Sequence, residues 1–251
     1  MKILNKKDVK KMREDISRGK DPHAELGGKY VKNIIFGGLD GIITTFAVVA
    51  GVIGASLSIS IVLILGFANL IADGISMSFG EYLSSRAKEE YQKKQRKKEE
   101  WEIRNYPKKE KEETVEYYMK HGISRSNAIK IVNIISKKKS LWASDMMVTE
   151  LGIVEKEYDP EKTALTTFIS FVCFGFIPLF TFVLIYFVPQ LSVNTFEISM
   201  IMTALALFGL GAAKTKFTGR NWVASGIEML LIGGIAAVSA YGIGYYISNV
   251  V

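Results

Sequence analysis

The sequence predicts an all-α integral membrane protein, with five transmembrane helices and a cytosolic helical domain inserted between the second and the third. Two observations predict this fold class. Apolar segments of about 20 residues, long enough to cross a bilayer as helices, occur five times. The 32 lysines and arginines are absent from 33–85, 163–213 and 221–251, and they all lie before or between these segments. This partition is typical of a membrane protein and excludes a soluble one.

A polar, basic N-terminal segment, 1–32, precedes transmembrane helices 1 and 2, which fall within 33–85. The second helix is predicted to continue beyond the bilayer, because 86–104 contains no glycine or proline. It should end at Asn105-Tyr106-Pro107, since proline disfavours helical backbone in the residue before it.

Residues 86–162 are predicted to form the inserted helical domain. After the proline, one helix should stop at Gly122, and another should begin after Ser124, which is a favourable N-cap residue. A further helix is expected to end before Gly152. Transmembrane helices 3 to 5 then occupy 163–251.

The basic residues also predict the orientation of the chain in the lipid bilayer. Positive charge accumulates in the cytosolic connections of membrane proteins, so the N-terminal segment, 86–162 and 214–220 are expected on the cytosolic side. The net charge of +7 has the same origin. No basic–aromatic recognition module is evident, and no nucleic-acid partner is predicted. An odd number of spans with no evident internal repeat favours a symmetric homodimer.

Acidic residues inside the apolar segments predict a path for cations. The second spanning helix carries a stripe at intervals of four residues, which lie on one helix face: Asn69, Asp73, Met77 and Glu81. Asp40 and Glu228 also fall in membrane-length segments, and these segments contain no lysine or arginine. Buried carboxylates without ion pairs require a proton or a bound cation. The three basic residues of 214–220 are interpreted as topology determinants.

The inserted domain contains glutamates and methionines at spacings that permit two interpretations. Two glutamate pairs lie three residues apart, and a methionine pair is followed by a glutamate: Glu99 and Glu102, Glu110 and Glu113, and Met146, Met147 and Glu150. Carboxylates suit Mn²⁺ and Fe²⁺, and a thioether biases a site away from Mg²⁺ and Ca²⁺. Spacing alone favours a solvated helix face with methionines in the core. It also fails to distinguish Glu110/Glu113 from Glu112/Glu116.

Two long membrane motifs and the glutamate-rich loop resemble the vacuolar iron transporter family. The motifs are Gly37-Gly38-Leu39-Asp40-Gly41 and the run Ala72-Asp73-Gly74-Ile75-Ser76-Met77-Ser78-Phe79-Gly80-Glu81-Tyr82-Leu83-Ser84. The resemblance extends from about residue 30 to residue 246. It implies a five-helix homodimer that moves Fe²⁺, and often Mn²⁺ or other divalent metals, out of the cytosol in exchange for protons. The path is expected to run along the dimer interface.

The resemblance also assigns roles to residues. It implies a membrane path at Asp40 and Met77, with Asp73 and Glu81 close by. It implies that 86–162 is a metal-binding domain, whose ligands are Glu99, Glu102, Glu110, Glu113, Met146, Met147 and Glu150. The metal is then a bound substrate, Fe²⁺ or Mn²⁺, Co²⁺ or Zn²⁺, and no permanent cofactor is expected. The membrane is the plasma membrane if the source is prokaryotic and a vacuolar-type membrane if it is eukaryotic.

Three alternative functions compete with proton-coupled transport. A passive divalent-cation channel uses the same residues and differs only in lacking coupling to protons, so the sequence leaves it open. A membrane-anchored metal-sensing or metal-binding module leaves the membrane acids unexplained. A di-iron oxidase of the helical-bundle type requires Glu-x-x-His motifs, whereas His23 and His121 follow Lys20 and Tyr118 at that spacing. The chain is therefore not expected to be an enzyme.

Overall fold

The computed structural model describes residues 30–154, 159–185, 187–188 and 194–250. Within these ranges the chain forms eight helices and no strand, which confirms the predicted all-α class. The helices are α1 (Val31–Gly54), α2 (Ile59–Asn105), α3 (Pro107–Lys120), α4 (Arg125–Ile135), α5 (Lys139–Thr149), α6 (Pro160–Leu184), α7 (Thr195–Thr218) and α8 (Trp222–Val250). Nearly all of the predicted N-terminal segment lies outside the described residues.

Five of the described helices, α1, α2, α6, α7 and α8, are long and apolar enough to cross a membrane. This number agrees with the prediction. In α1 and α6, 44% of the spanning residues are buried within the chain, against 22% in α2 and α8. Helices α1 and α6 therefore form the centre of the packing, and α2 and α8 present most of their apolar surface outward.

The described residues divide into two compact units. The membrane unit contains the residues up to Tyr82 and from Glu161, and the inserted unit is Leu83–Pro160. Helix α2 contributes residues to both units, as expected from the absence of a helix breaker between 86 and 104.

Glycines bring the helices of the membrane unit into backbone contact. A Cβ atom on Gly37 of α1 would lie 2.7 Å from the carbonyl oxygen of Thr167 in α6. A Cβ atom on Gly244 of α8 would lie still closer to the carbonyl oxygen of Gly51 in α1. These contacts agree with the expected packing role of glycine in membrane helices. A Cβ atom on Gly234 of α8 would meet no described residue within 4 Å.

The inserted unit packs α3, α4, α5 and the end of α2 around small apolar clusters. One cluster contains Ile103, Trp142 and Met146 from α2 and α5. The break between α2 and α3 falls at Tyr106, as the sequence predicts. Gly122 takes the left-handed φ of +87° expected of a helix stop. Ser124 occupies the N-cap position of α4 but makes no capping hydrogen bond through its side chain.

Candidate metal centre

Three glutamates from different parts of the inserted unit converge on one point. Glu99 lies on α2, Glu110 on the first turn of α3, and Glu150 directly after α5. One carboxylate oxygen from each lies within 4.8 Å of the other two. This spacing allows a single divalent cation to be held between three oxygen ligands, the donor type that suits Fe²⁺ and Mn²⁺.

Two of these carboxylates are removed from solvent. Glu99 is 1% exposed and Glu110 is 2% exposed, whereas Glu150 is exposed. The Oε2 atom of Glu99 is buried and has no hydrogen-bond partner among the described residues. A buried oxygen of this kind is destabilising unless a proton or a cation compensates for the lost water. The chemistry of the cluster therefore fits a cation.

The electrostatics of the cluster favour protonation when no metal is bound. Burial, followed by repulsion from Glu150, raises the pKa of Glu99 to about 7. Burial and then the charge of Glu113 raise the pKa of Glu110 to about 7. Burial and then the charge of Glu113 also raise the pKa of Glu150. Near neutral pH a metal ion must therefore displace protons from these carboxyl groups.

The other two predicted glutamate ligands lie at the margin of the cluster. The side chain of Glu102 is 26% exposed, and its Oε1 lies 3.7 Å from Nζ of Lys98. The side chain of Glu113 is 39% exposed, and its Oε1 lies 2.8 Å from Nζ of Lys109. Their charges contribute to the raised pKa values of the central carboxyl groups. Glu102 and Glu113 are therefore near enough to interact electrostatically with a metal bound at the cluster. In this structure each forms an ion pair with a lysine.

A cavity of about 340 Å³ adjoins the cluster. Its walls include Glu113, Glu150 and Met146, so three predicted ligands line one space. Met146 also belongs to the apolar cluster of the unit, and Met147 is fully buried. The volume corresponds to roughly ten water molecules at about 30 Å³ each. A hydrated cation can therefore be accommodated beside the carboxylates.

The structure distinguishes two glutamate pairs that spacing left equivalent. Glu110 is buried in the cluster, whereas Glu112 is exposed and forms an ion pair with Arg125. Glu116 is exposed and lies only at the cavity wall. The helical phase of α3 relative to its neighbours therefore turns Glu110 inward.

The membrane stripe has a different geometry. Its four members are partly buried on one face of α2. The carboxylate of Asp73 lies near enough to Asp40 on α1 to interact with it electrostatically. The Nδ2 atom of Asn69 is buried without a hydrogen-bond partner in the described part of the chain. Among the described residues, neither aspartate forms an ion pair.

The expectation that all four membrane acids lack basic partners is wrong for two of them. Nζ of Lys214 lies 3.5 Å from Oε2 of Glu228, and Nη1 of Arg220 lies 3.4 Å from the same oxygen. Oε2 of Glu81 lies 4.0 Å from Nζ of Lys32. Long basic side chains at helix ends reach acids one or more turns inside, so a count of residues within the apolar segments misses these pairs.

Sequence reasoning also missed a buried hydrogen-bonded pair beside Glu110. The Nε1 atom of Trp142 donates to Oγ1 of Thr114, and Thr114 donates to the main-chain oxygen of Glu110. The available signal was weak, since it consisted only of a tryptophan four residues before Met146. A buried indole N–H usually requires an acceptor, but the sequence does not show which residue supplies it.

Comparison with known proteins shows the family of the chain. A family model described as the VIT family matches residues 31–245. The chain is 42% identical to a vacuolar iron transporter of Toxoplasma gondii, over 92% of this chain and 79% of that protein. It is 38% identical to a vacuolar iron transporter of Plasmodium berghei, over 92% and 89% of the two chains.

A plant relative is similar over a comparable length. The chain is 36% identical to vacuolar iron transporter 1 of Arabidopsis thaliana, over 88% of each protein. The family model covers most of the chain: the inserted unit, four of the five membrane-length helices in full, and α8 up to residue 245. The chain therefore belongs to the VIT family.

Proposed function

We propose that this chain transports Fe²⁺, and Mn²⁺ or similar divalent cations, out of the cytosol in exchange for protons. The observation that carries the proposal is the pair Asp40 and Asp73, which interact within the membrane unit and have no ion pair among the described residues. Carboxylates at membrane depth mark ion paths. The matched relatives are named vacuolar iron transporters, which supports iron as the substrate.

In this proposal the inserted unit is a cytosolic metal-binding domain. Glu99, Glu110 and Glu150 form its centre. Glu102 and Glu113 release their lysine partners and join the metal, and Met146 and Met147 supply the softer face of the site. The orphaned oxygen of Glu99 supports this role, because metal binding compensates its burial.

Within the membrane, Asp40 alternates between a metal and a proton and so couples the two fluxes. Met77 lies on the same face of α2 as Asp73 and Glu81. Its thioether biases the path away from Mg²⁺ and Ca²⁺. The ion pair between Glu81 and Lys32 is exposed on its lysine side, so an arriving cation can replace the ammonium group.

We also infer the orientation and the assembly. The positive-inside rule places the N-terminus and the inserted unit in the cytosol. The names of the relatives favour a vacuolar-type membrane, with the plasma membrane as the alternative in a prokaryote. Next to the polar stripe, α2 exposes small residues at intervals of four, namely Ala68, Ala72, Ser76 and Gly80. Small residues at this spacing favour close helix contact, so a second copy of the chain is proposed to pack there.

Cysteine cross-linking tests the dimer. A cysteine replacing Ala72, in a Cys173→Ser background, should form an intermolecular disulfide in membranes under mild oxidation. A cysteine replacing Val238, which is exposed on α8, is the matched control and should not cross-link. Equal cross-linking at both positions, or at neither, would remove support for an α2 interface.

Anaerobic Fe²⁺ flux into proteoliposomes, with a pH dye in the lumen, tests the transport mechanism. Entry that accelerates with an acidic interior and alkalinises the lumen is the expected result. Asp40→Ala should abolish entry. Glu197→Gln, which removes an exposed acid from the first turn of α7, is the matched control. Entry indifferent to pH would establish a passive channel, and no entry with retained metal binding would establish a metal-sensing or metal-binding module.

A further inference from the structure

We propose that Trp142 and Thr114 form a buried hydrogen-bonded relay that positions Glu110 for metal binding. The inference rests on the proposed function of the glutamate cluster, and it adds two residues that do not themselves touch the metal. Trp142 and Thr114 act through the backbone of Glu110, so they are positioning residues.

The relay connects two helices beside the cluster. Nε1 of Trp142 on α5 donates to Oγ1 of Thr114 on α3 at 3.1 Å. Oγ1 of Thr114 donates to the main-chain oxygen of Glu110 at 2.7 Å. Thr114 and Trp142 are each only 2% exposed. The contact therefore fixes the turn of α3 that carries Glu110 against the helix that leads into Glu150.

The chemistry of the groups allows only one direction for these hydrogen bonds. An indole N–H is a donor only, so the oxygen of Thr114 must accept from Trp142. The single hydroxyl proton of Thr114 is then free to point to the carbonyl of Glu110. Because both side chains are buried, water does not replace a lost partner easily, and an unpaired indole N–H is destabilising.

Trp142 connects the three helices that carry or precede the clustered glutamates, α2, α3 and α5. It belongs to one apolar cluster with Ile103, which lies one turn after Glu99 on α2. The same cluster contains Met146, one turn further along α5. Its hydrogen bond supplies the contact to α3. A metal site requires its ligands to be held within about 0.5 Å of the binding geometry, and this indole links the helices that set that geometry.

A hydroxyl that bonds to the carbonyl four residues earlier is common in helices and does not make a relay by itself. Thr166 of α6 makes the same contact with the main-chain oxygen of Lys162, also at 2.7 Å. Thr166 lies in the membrane unit and receives no indole hydrogen bond from the described part of the chain. Thr166→Val is therefore a control for loss of the intrahelical bond alone.

The test is a Co²⁺ titration of the full chain in detergent, without oxygen, followed by visible absorption. The difference between wild type and Glu110→Gln defines the signal of the cluster. Thr114→Val keeps the branched shape and removes the hydroxyl, and it should weaken Co²⁺ binding about tenfold and shift the absorption bands. Thr114→Ser restores the hydroxyl and should restore both, and Thr166→Val should change neither.

Wild-type affinity and spectrum in Thr114→Val would overturn the relay, as would equal loss in Thr114→Ser. If Thr114→Val does not fold, as judged by its thermal unfolding, Trp142→Phe decides. That variant keeps an aromatic ring and lacks the N–H, so unchanged binding would contradict the proposal and a similar loss would support it. If Glu110→Gln binds Co²⁺ like wild type, the metal site itself is refuted, and the relay with it.

Discussion

In the inserted unit, carboxylates from two helices and from the residue that follows a third converge on one point, whereas in the membrane unit they follow one another along a helix face. Two of the converging groups, Glu99 and Glu110, are almost fully buried, and burial is the main cause of the raised pKa of each. Along α2, Asp73 and Glu81 are two turns apart, or about 12 Å at 1.5 Å per residue, and both are partly exposed.

This difference suggests a division of labour. Several negative charges around one point bind a cation tightly once protons have left, which suits capture of a scarce metal. Single carboxylates at intervals bind more weakly, which suits passage, since an ion in transit must also leave each position. The two arrangements should therefore respond differently to mutation, and this can be measured in one chain.

The largest expected effect separates the two regions. Asp40→Asn should reduce Fe²⁺ flux to background, because it removes the charge proposed to exchange metal for proton. The same variant should bind Co²⁺ at the inserted unit with wild-type affinity. Parallel flux and titration experiments on one preparation check both statements. Loss of Co²⁺ binding in Asp40→Asn would contradict the independence of the two regions.

The next effect concerns the converging carboxylates. Glu99→Gln should weaken Co²⁺ binding to the inserted unit by about 100-fold or more, since loss of a ligand exceeds the 10- to 100-fold cost of losing an outer partner. Flux at saturating metal should persist in part, because the membrane carboxylates are intact. Glu112→Gln removes an exposed glutamate that pairs with Arg125 and should leave binding unchanged. Equal losses in both variants would show that only net charge matters.

A smaller effect is a pH dependence of stability. The carboxyl groups of Glu99 and Glu110 have a pKa of about 7 in the folded chain, against 4.5 as the ordinary value. The folded state therefore binds more protons than the unfolded state between these values. The stability that these two protonated carboxyl groups contribute is fully present below pH 4.5 and is lost as the pH rises through about 7.

Thermal unfolding of the metal-free chain, followed by tryptophan fluorescence, measures this dependence. Its Tm should fall between pH 5 and pH 8, and added Co²⁺ should restore it at pH 8 by binding the ionised cluster. The double variant Glu99→Gln, Glu110→Gln should show a flatter profile. A wild-type Tm that rises over this range would contradict the raised pKa values.

The sequence predicts the fold well where one local signal dominates. The five membrane helices follow from apolar runs longer than a soluble core helix needs, and the break before Pro107 follows from proline sterics. Ser124 is the N-cap residue, as predicted, and its backbone has the N-cap conformation. Its side chain makes no capping hydrogen bond with the described residues. Local propensity indicated the position of the helix start but not the side-chain contact.

The site was less predictable, because it depends on how helices face each other. Spacing did not distinguish Glu110 from Glu112 as a candidate metal ligand. The packing of α3 buries Glu110 and exposes Glu112. The ion pairs of Glu228 depend on the reach of Lys214 and Arg220 between helices. The family resemblance singled out Glu110, which the structure brings together with Glu99 and Glu150, whereas the spacing of the chain did not.

The smallest expected effect concerns the lysines at the margin of the cluster. Nζ of Lys109 lies 2.8 Å from Oε1 of Glu113, and both side chains reach solvent. If Glu113 must leave this lysine to join a metal, Lys109→Met should strengthen Co²⁺ binding by about two- to fivefold, since exposed ion pairs are weak. Lys111→Met, on the same helix and outside the cluster, is the control for lost positive charge. An equal gain in both variants would indicate a general electrostatic effect, whereas weaker binding in Lys109→Met would mean that the lysine holds Glu113 ready for the metal.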